Sequence, residues 1–142
     1  MYTDTVTIFN RIRGDRGEPD TWLPTVIKGV NLNIDRAAIL AKYGAECQDK
    51  AILNIRYNPD GMMVADKRWQ EPMAWNHSDD TLTFAPAKDF FWAGEWDGGA
   101  VSDDGFGTDG FYGHMNRTKD NVFLISSVAR YSVIPHFEVM GR

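Results

Sequence analysis

The sequence predicts a mainly β protein, a small β-barrel or sandwich of about seven strands with one short helix and a long Gly/Asp-rich loop. Three observations carry that expectation. Short runs of alternating or β-branched residues recur along the chain, clusters of Gly, Pro, Asn and Asp separate them, and a single segment has good helical character. A chain of 142 residues falls within the size of one domain, 1–142, and can bury a core without staples. Apolar residues at 43% and aromatics at 13%, with five Trp and eight Phe, supply that core and exclude global disorder.

Taken in order, Asp4 to Asn10 alternates, with Val6 and Ile8 on one face and Thr5, Thr7 and Phe9 on the other, the period of a half-buried strand. The turn formers of Gly14 to Asp20 follow, and Trp22 to Ile34 returns as a β-branched partner, so the two should form a hairpin. Asp35 can cap a helix over Arg36 to Tyr43 that Gly44 would close. Ala51 to Tyr57 reads as a third strand, turned sharply by Asn58-Pro59-Asp60-Gly61; its Arg56 sits awkwardly if that face is core. Met62 to Trp75 is expected to give one edge strand plus loop, because Pro72 forbids a central strand while Met63, Val64, Trp69 and Trp75 want burial. Thr81 to Ala85 and Asp89 to Trp92 are short strands on either side of Pro86, and Asn121 to Arg130 and Val133 to Met140 supply the last two.

Between these strands, Gly94 to Gly113 holds seven of the thirteen glycines and five acidic residues, Glu95, Asp97, Asp103, Asp104 and Asp109, with no Lys or Arg. It is read as an extended loop at about 94–120 that does not pack with the rest, and long loops of this kind carry function or disorder. Phe106, Phe111 and Tyr112 interrupt the glycines, which a plain linker would not need. The expectation is a channel or interface loop ordered by neighbouring subunits, since alone it would lose chain entropy with little core to offset the loss.

The bulk numbers narrow the function. One cysteine, Cys47, excludes an intrachain disulfide and fits a reducing compartment. A net charge of -5 argues against tight binding to nucleic acid phosphates. Met1-Tyr2-Thr3-Asp4 has neither basic region nor apolar run, and no window approaches the roughly 18 apolar residues of a membrane span, so no signal peptide and no membrane are expected.

Chemical motifs are sparse. His77, His114 and His136 lie far apart without partners at ligand spacing, so a zinc site would have to be assembled by the fold. Asp103, Asp104 and Asp109 are weak candidates for calcium, because hard cations take clustered carboxylates, yet their spacing matches no EF-hand loop or nonapeptide repeat. No phosphate-cradling Gly-Lys-Ser/Thr loop occurs, Ser126 and Ser127 lack nucleophile-elbow glycines, and turn formation accounts for Asp79-Asp80. Trp69, Trp75, Trp92 and Trp96 could stack a sugar or base, but burial in a core or subunit interface accounts for them. The expectation is a protein that is not an enzyme and takes no cofactor.

Three segments carry a resemblance: Tyr2 to Asn10, Trp22 to Val30, and Ile52-Leu53-Asn54-Ile55-Arg56-Tyr57. In that order, a strand, a tryptophan-led strand, a polar insertion and an Ile-Arg-Tyr strand, they resemble the minor capsid and head-tail joining proteins of long-tailed bacteriophages. Asp89 to Glu95, Phe123 to Val128 and His136 to Arg142 are similar to small phage minor structural proteins. The resemblance implies a head-closure or stopper-like virion protein, a β-barrel that forms a ring with copies of itself beneath the portal and adaptor. Its further partners would be tail proteins and passing double-stranded DNA held without tight binding, in the virion at the head-tail junction and in the host cytoplasm during assembly. The segment closing the channel would be either Asp35 to Asp49 or Gly94 to Gly113, and an acidic loop there would repel phosphates. This chain departs from the compact members of the family by its glycine-rich stretch. Alternatives are a tail-completion or terminator ring protein, and a soluble ligand- or calcium-binding β domain.

Overall fold

A computed structural model describes residues 2–35 and 49–142. The helix expected over Arg36 to Tyr43, and Cys47 with it, lie outside the described residues. The strands are β1 (Asp4–Ile12), β2 (Thr21–Ile34), β3 (Ala51–Arg56), β4 (Met63–Val64), β5 (Lys67–Trp69), β6 (Thr81–Leu82), β7 (Phe90–Trp92), β8 (Val101–Ser102), β9 (Val122–Tyr131) and β10 (His136–Gly141); the described helix is α1 (Gly110–Thr118). The fold is mainly β, as expected. Six strands close on themselves in the order β1-β7-β9-β10-β3-β2, because β1 also pairs with β2, and β8 adds to the start of β2. Every pairing in this barrel is antiparallel.

Closure depends on strands that change partner along their length. β2 pairs with β1 from Thr21 to Val30, then with β3 from Asn31 to Ile34. The change coincides with a register shift in which Gly29 is the extra residue, at φ +74°, a conformation that side-chain-bearing residues rarely adopt. Pro24 is tolerated in this strand because its stretch of β2 has a ladder partner on one side alone. β9 divides likewise, its start on β7 and its remainder on β10.

Alternation fills the barrel. Val6, Ile8, Ile27, Leu53, Ile55, Ile125, Phe137 and Val139 are buried in one cluster, while Ile52 and Arg56 on the opposite face of β3 are solvent-facing. Arg56 therefore escapes the awkward burial: its guanidinium lies 3.8 Å from the Tyr2 ring centroid, over the ring. The segment from Met62 to Trp75 holds two strands where one was expected. β4 and β5 form a small hairpin, β6 joins β5 in parallel, and Val64, Trp69 and Leu82 enter the barrel's core. The last hairpin turns later than expected: β9 runs to Tyr131, and residues 132–135 form the turn rather than the start of β10.

The largest correction concerns the glycine-rich stretch, which packs. It contributes β8 and α1, which build a second core on the outer face of β1, β7 and the start of β9, from Phe9, Trp22, Phe90, Phe111, Met115 and Val122. Phe9 stacks on Phe90 with centroids 4.8 Å apart, and the Phe111 ring meets Phe9 edge-on at 5.2 Å. Thr7 on the same face donates its hydroxyl to the Gly94 carbonyl at 2.8 Å and accepts the Trp96 N–H at 3.0 Å. β1 is thus buried on both faces instead of half-buried. At about 1.5–3 kcal/mol for each fully buried large apolar side chain, these rings offset the chain entropy that the sequence reading set against an isolated loop.

Candidate functional site

Two regions need weighing: the acidic stretch singled out by the sequence, and a cavity at one end of the barrel. In the first, the side chains divide between structure and solvent. Asp103 accepts the Trp22 indole N–H at 2.6 Å and the Phe111 backbone N–H at 2.9 Å, so it ties α1 to β2 and satisfies a free donor in the helix's first turn. Gly110, at φ +68°, stands where a Cβ would come within 3.0 Å of that carboxylate. Asp109 accepts from Arg117 at 2.6 Å, Glu95 pairs with Lys28 at 3.6 Å, and Asp97 and Asp104 are exposed. Phe106 packs on Phe111 and His114, and Tyr112 on Phe90, where burial raises its phenol pKa. Among the described residues, no group of three or more His, Cys, Asp or Glu is placed to hold a metal ion. The three weak calcium candidates are not brought together as a ligand set, because two of them already serve other donors.

The second region is a cavity of about 540 Å³, within the range of small-molecule sites. Three pieces of chain wall it. The end of β1 and the turn beyond bring Arg11 and Arg13, with Asp20 at the start of β2; the segment 72–77 brings Met73, Trp75 and His77; the link from β6 to β7 brings Thr83, Lys88 and Asp89. Asp89 organises the wall. Its carboxylate accepts the Arg11 N–H at Oδ1, and the Ala85 N–H and the Asn10 Nδ2–H at Oδ2, each at 2.9 Å. Asn10, itself 1% exposed, also donates to the Thr83 carbonyl at 2.6 Å. Burial lifts the Asp89 carboxyl to about 6, outweighing the three donors and nearby Lys88 that pull it down. Sequence reasoning used Asp89 merely to open a strand. The available signal was a carboxylate set directly against the apolar run Phe90-Phe91-Trp92, with Asn10 ending the alternation of β1.

Against the apolar side of the cavity, Trp75 is buried and donates its indole N–H to Thr81 Oγ1 at 3.1 Å, while His77 meets its ring edge-on at 4.6 Å. The chain belongs to a family of unknown function, DUF6751, whose model matches residues 1–142. No curated protein and no solved structure matches it. Family membership brings no activity with it, so the cavity is read by its own chemistry. Arg11 is spent on Asp20, whose carboxyl is lowered first by the Gly14 N–H and further by Arg11 and Arg13, against a partial opposition from burial. Asp89 is sealed at 1% exposure and engaged on both oxygens, which makes it an anchor for the wall. Thr83 is also 1% exposed, and its hydroxyl has no hydrogen-bond partner among the described residues. A buried hydroxyl left so costs about 1–3 kcal/mol, which singles it out from the satisfied groups around it.

Proposed function

We propose that this chain is a structural virion protein of a tailed bacteriophage, a ring-forming head-closure or stopper subunit, or a minor capsid protein, of the head-tail connector. The resemblance of its strand segments to head-tail joining proteins supplies the class. The observation that carries the reading is the tip of the hairpin between β9 and β10. There Val133 is 97% exposed and Ile134 74%, next to Tyr131 at 46%. Isolated exposed apolar residues are ordinary, but three within four positions at the tip of a projecting hairpin form a patch suited to a partner. Closure of the six barrel strands leaves little open edge for strand addition, so copies would join by side-chain patches of this kind. Such a patch, docking against a different face of the next copy, is the heterologous contact from which rings are built. The acidic balance of the chain suits a conduit past which DNA must slide, because like charge prevents a tight grip on phosphates.

The test is assembly. Light scattering and hydrogen exchange are measured on the purified chain alone and mixed with portal and adaptor proteins of the same phage. The expected result is a complex of ring mass with new protection across residues 131–136, lost in the double variant Val133→Asp, Ile134→Asp while the far-ultraviolet spectrum stays native. A complex with a tail-tube protein and none with the adaptor would replace the head-closure role by a terminator role; no complex with either would overturn the connector reading.

A further inference from the structure

The cavity beneath Asp89 holds an unbalanced set of groups that the connector reading does not use. Its charged side chains are Arg11, Arg13, Lys88, Asp20 and Asp89, with His77 at the rim. Arg11 and Asp20 form an ion pair, and Asp89 faces three N–H donors with Lys88 close enough to act on it through space. Neither Arg13 nor Lys88 makes an ion pair or a side-chain hydrogen bond with a described residue, and both are exposed. Three cations, Arg11, Arg13 and Lys88, against two carboxylates, Asp20 and Asp89, leave one positive charge uncompensated. A second and independent observation is in the same wall, where the Thr83 hydroxyl is buried without a partner among the described residues. The lining also includes the Trp75 ring and Met73, whose side chain is in water at 96% exposure. Unpaired cations, one unsatisfied hydroxyl and an apolar wall around about 540 Å³ describe a site for a molecule with one anionic end and a flat apolar body.

We infer that this barrel mouth binds a small organic carboxylate, its anionic head taken by Arg13, Lys88 and the Thr83 hydroxyl and its flat body covered by Trp75 and Met73. The single excess charge favours a carboxylate over a phosphate ester, which carries about -1.5 to -2 at neutral pH. A hydroxyl serves either partner of a hydrogen bond, so Thr83 can donate to a carboxylate oxygen. The site stands apart from the hairpin tip, since none of its lining residues belongs to β9 or β10, and it is open to test on the isolated chain.

The experiment is a titration of the full chain with 2-naphthoate, followed by two-dimensional NMR of backbone amides and indole N–H groups, at low ionic strength. Saturable shifts centred on the Trp75 indole and the Ala85 and Lys88 amides are expected. The double variant Arg13→Gln, Lys88→Gln should weaken binding by about tenfold or more, and Thr83→Val by a smaller factor, with the spectrum elsewhere unchanged. Neutral 2-naphthamide and inorganic phosphate are the comparison arms. Binding of the amide as tight as that of naphthoate, tighter binding of phosphate, or absence of saturable shifts at Trp75 would each overturn the inference. Because Arg13 and Lys88 lie outside both hydrophobic cores, their replacement should leave a folded protein on which the loss can be read.

Discussion

The described residues form two hydrophobic cores on opposite faces of β1, and the two are made in different ways. The barrel interior comes from strands that each donate alternate residues, Val6 and Ile8 from β1, Leu53 and Ile55 from β3, Phe137 and Val139 from β10. The outer core draws Phe9, Phe90 and Val122 from the barrel strands β1, β7 and β9, but is closed by Phe111 and Met115 of a helix embedded in a glycine-rich excursion. Aromatic content is high in both; what differs is that the barrel is held by ladders as well as side chains, whereas the excursion has two ladder positions through β8 and is otherwise held by rings, by Asp103, and by the Thr7 hydroxyl on Gly94 and Trp96. Phe111→Ala is the sharpest way to separate them. Removal of a buried Phe costs about 3–5 kcal/mol, and this one is 1% exposed and touches Phe9, Trp22, Phe90, Trp96 and Phe106. Amides of residues 94–118 are expected to lose exchange protection while those of β3 and β10 keep theirs. Uniform loss across the chain would show that the two cores unfold as one unit.

At the barrel's open end the comparison turns on a polar anchor rather than on rings. Asp89 is lifted by burial from its ordinary 3.8 to about 6. Between those values the folded protein holds a proton that the unfolded chain has released. The stabilisation from this group is therefore complete below about pH 3.8 and is lost as pH rises through about 6. At about 1.36 kcal/mol per pH unit, the scale is about 3 kcal/mol. Urea unfolding of the natural chain and of Asp89→Asn from pH 4 to 7 should show their stability difference changing by about that amount, since the amide does not titrate. Parallel curves would mean that the three N–H donors hold the carboxylate near its ordinary value.

Both cores were written in the same sequence, but in unequal print. The barrel strands follow from period-two alternation at Asp4 to Asn10 and Ala51 to Tyr57, a local signal that survives without knowledge of partners. Helix α1 did not, because Gly-Phe-Tyr-Gly-His has poor helix propensity and its stability comes from Phe111 and Met115, four apart, meeting rings supplied by β1 and β7. The burial of Thr7 was hidden for the same reason: its partners, Gly94 and Trp96, lie more than eighty residues away. The cavity at the barrel mouth joins residues near 11, 75 and 88, none of which forms a motif along the chain. Asp103 was picked out as an acidic residue, yet its use as a tether for Trp22 and α1 depends on a contact across 81 positions.

The smallest expected effect tests whether charge contributes to holding the excursion. Of its five acidic residues, Glu95 is the one that forms an ion pair with a barrel strand among the described residues, through Lys28 of β2 at 3.6 Å, with side chains 59% and 70% exposed. An exposed pair of that geometry is worth about 0–1 kcal/mol and is screened by salt. Glu95→Gln should therefore shift stability by less than about 0.5 kcal/mol in urea unfolding. Exchange protection of residues 94–118 should likewise stay unchanged between about 0.1 M and 1 M salt, although screening shortens from about 10 Å to 3 Å over that range. A larger loss in either measurement would make the Lys28 contact a genuine clasp, and the excursion would then be released by ionic strength rather than by disruption of the rings around Phe111.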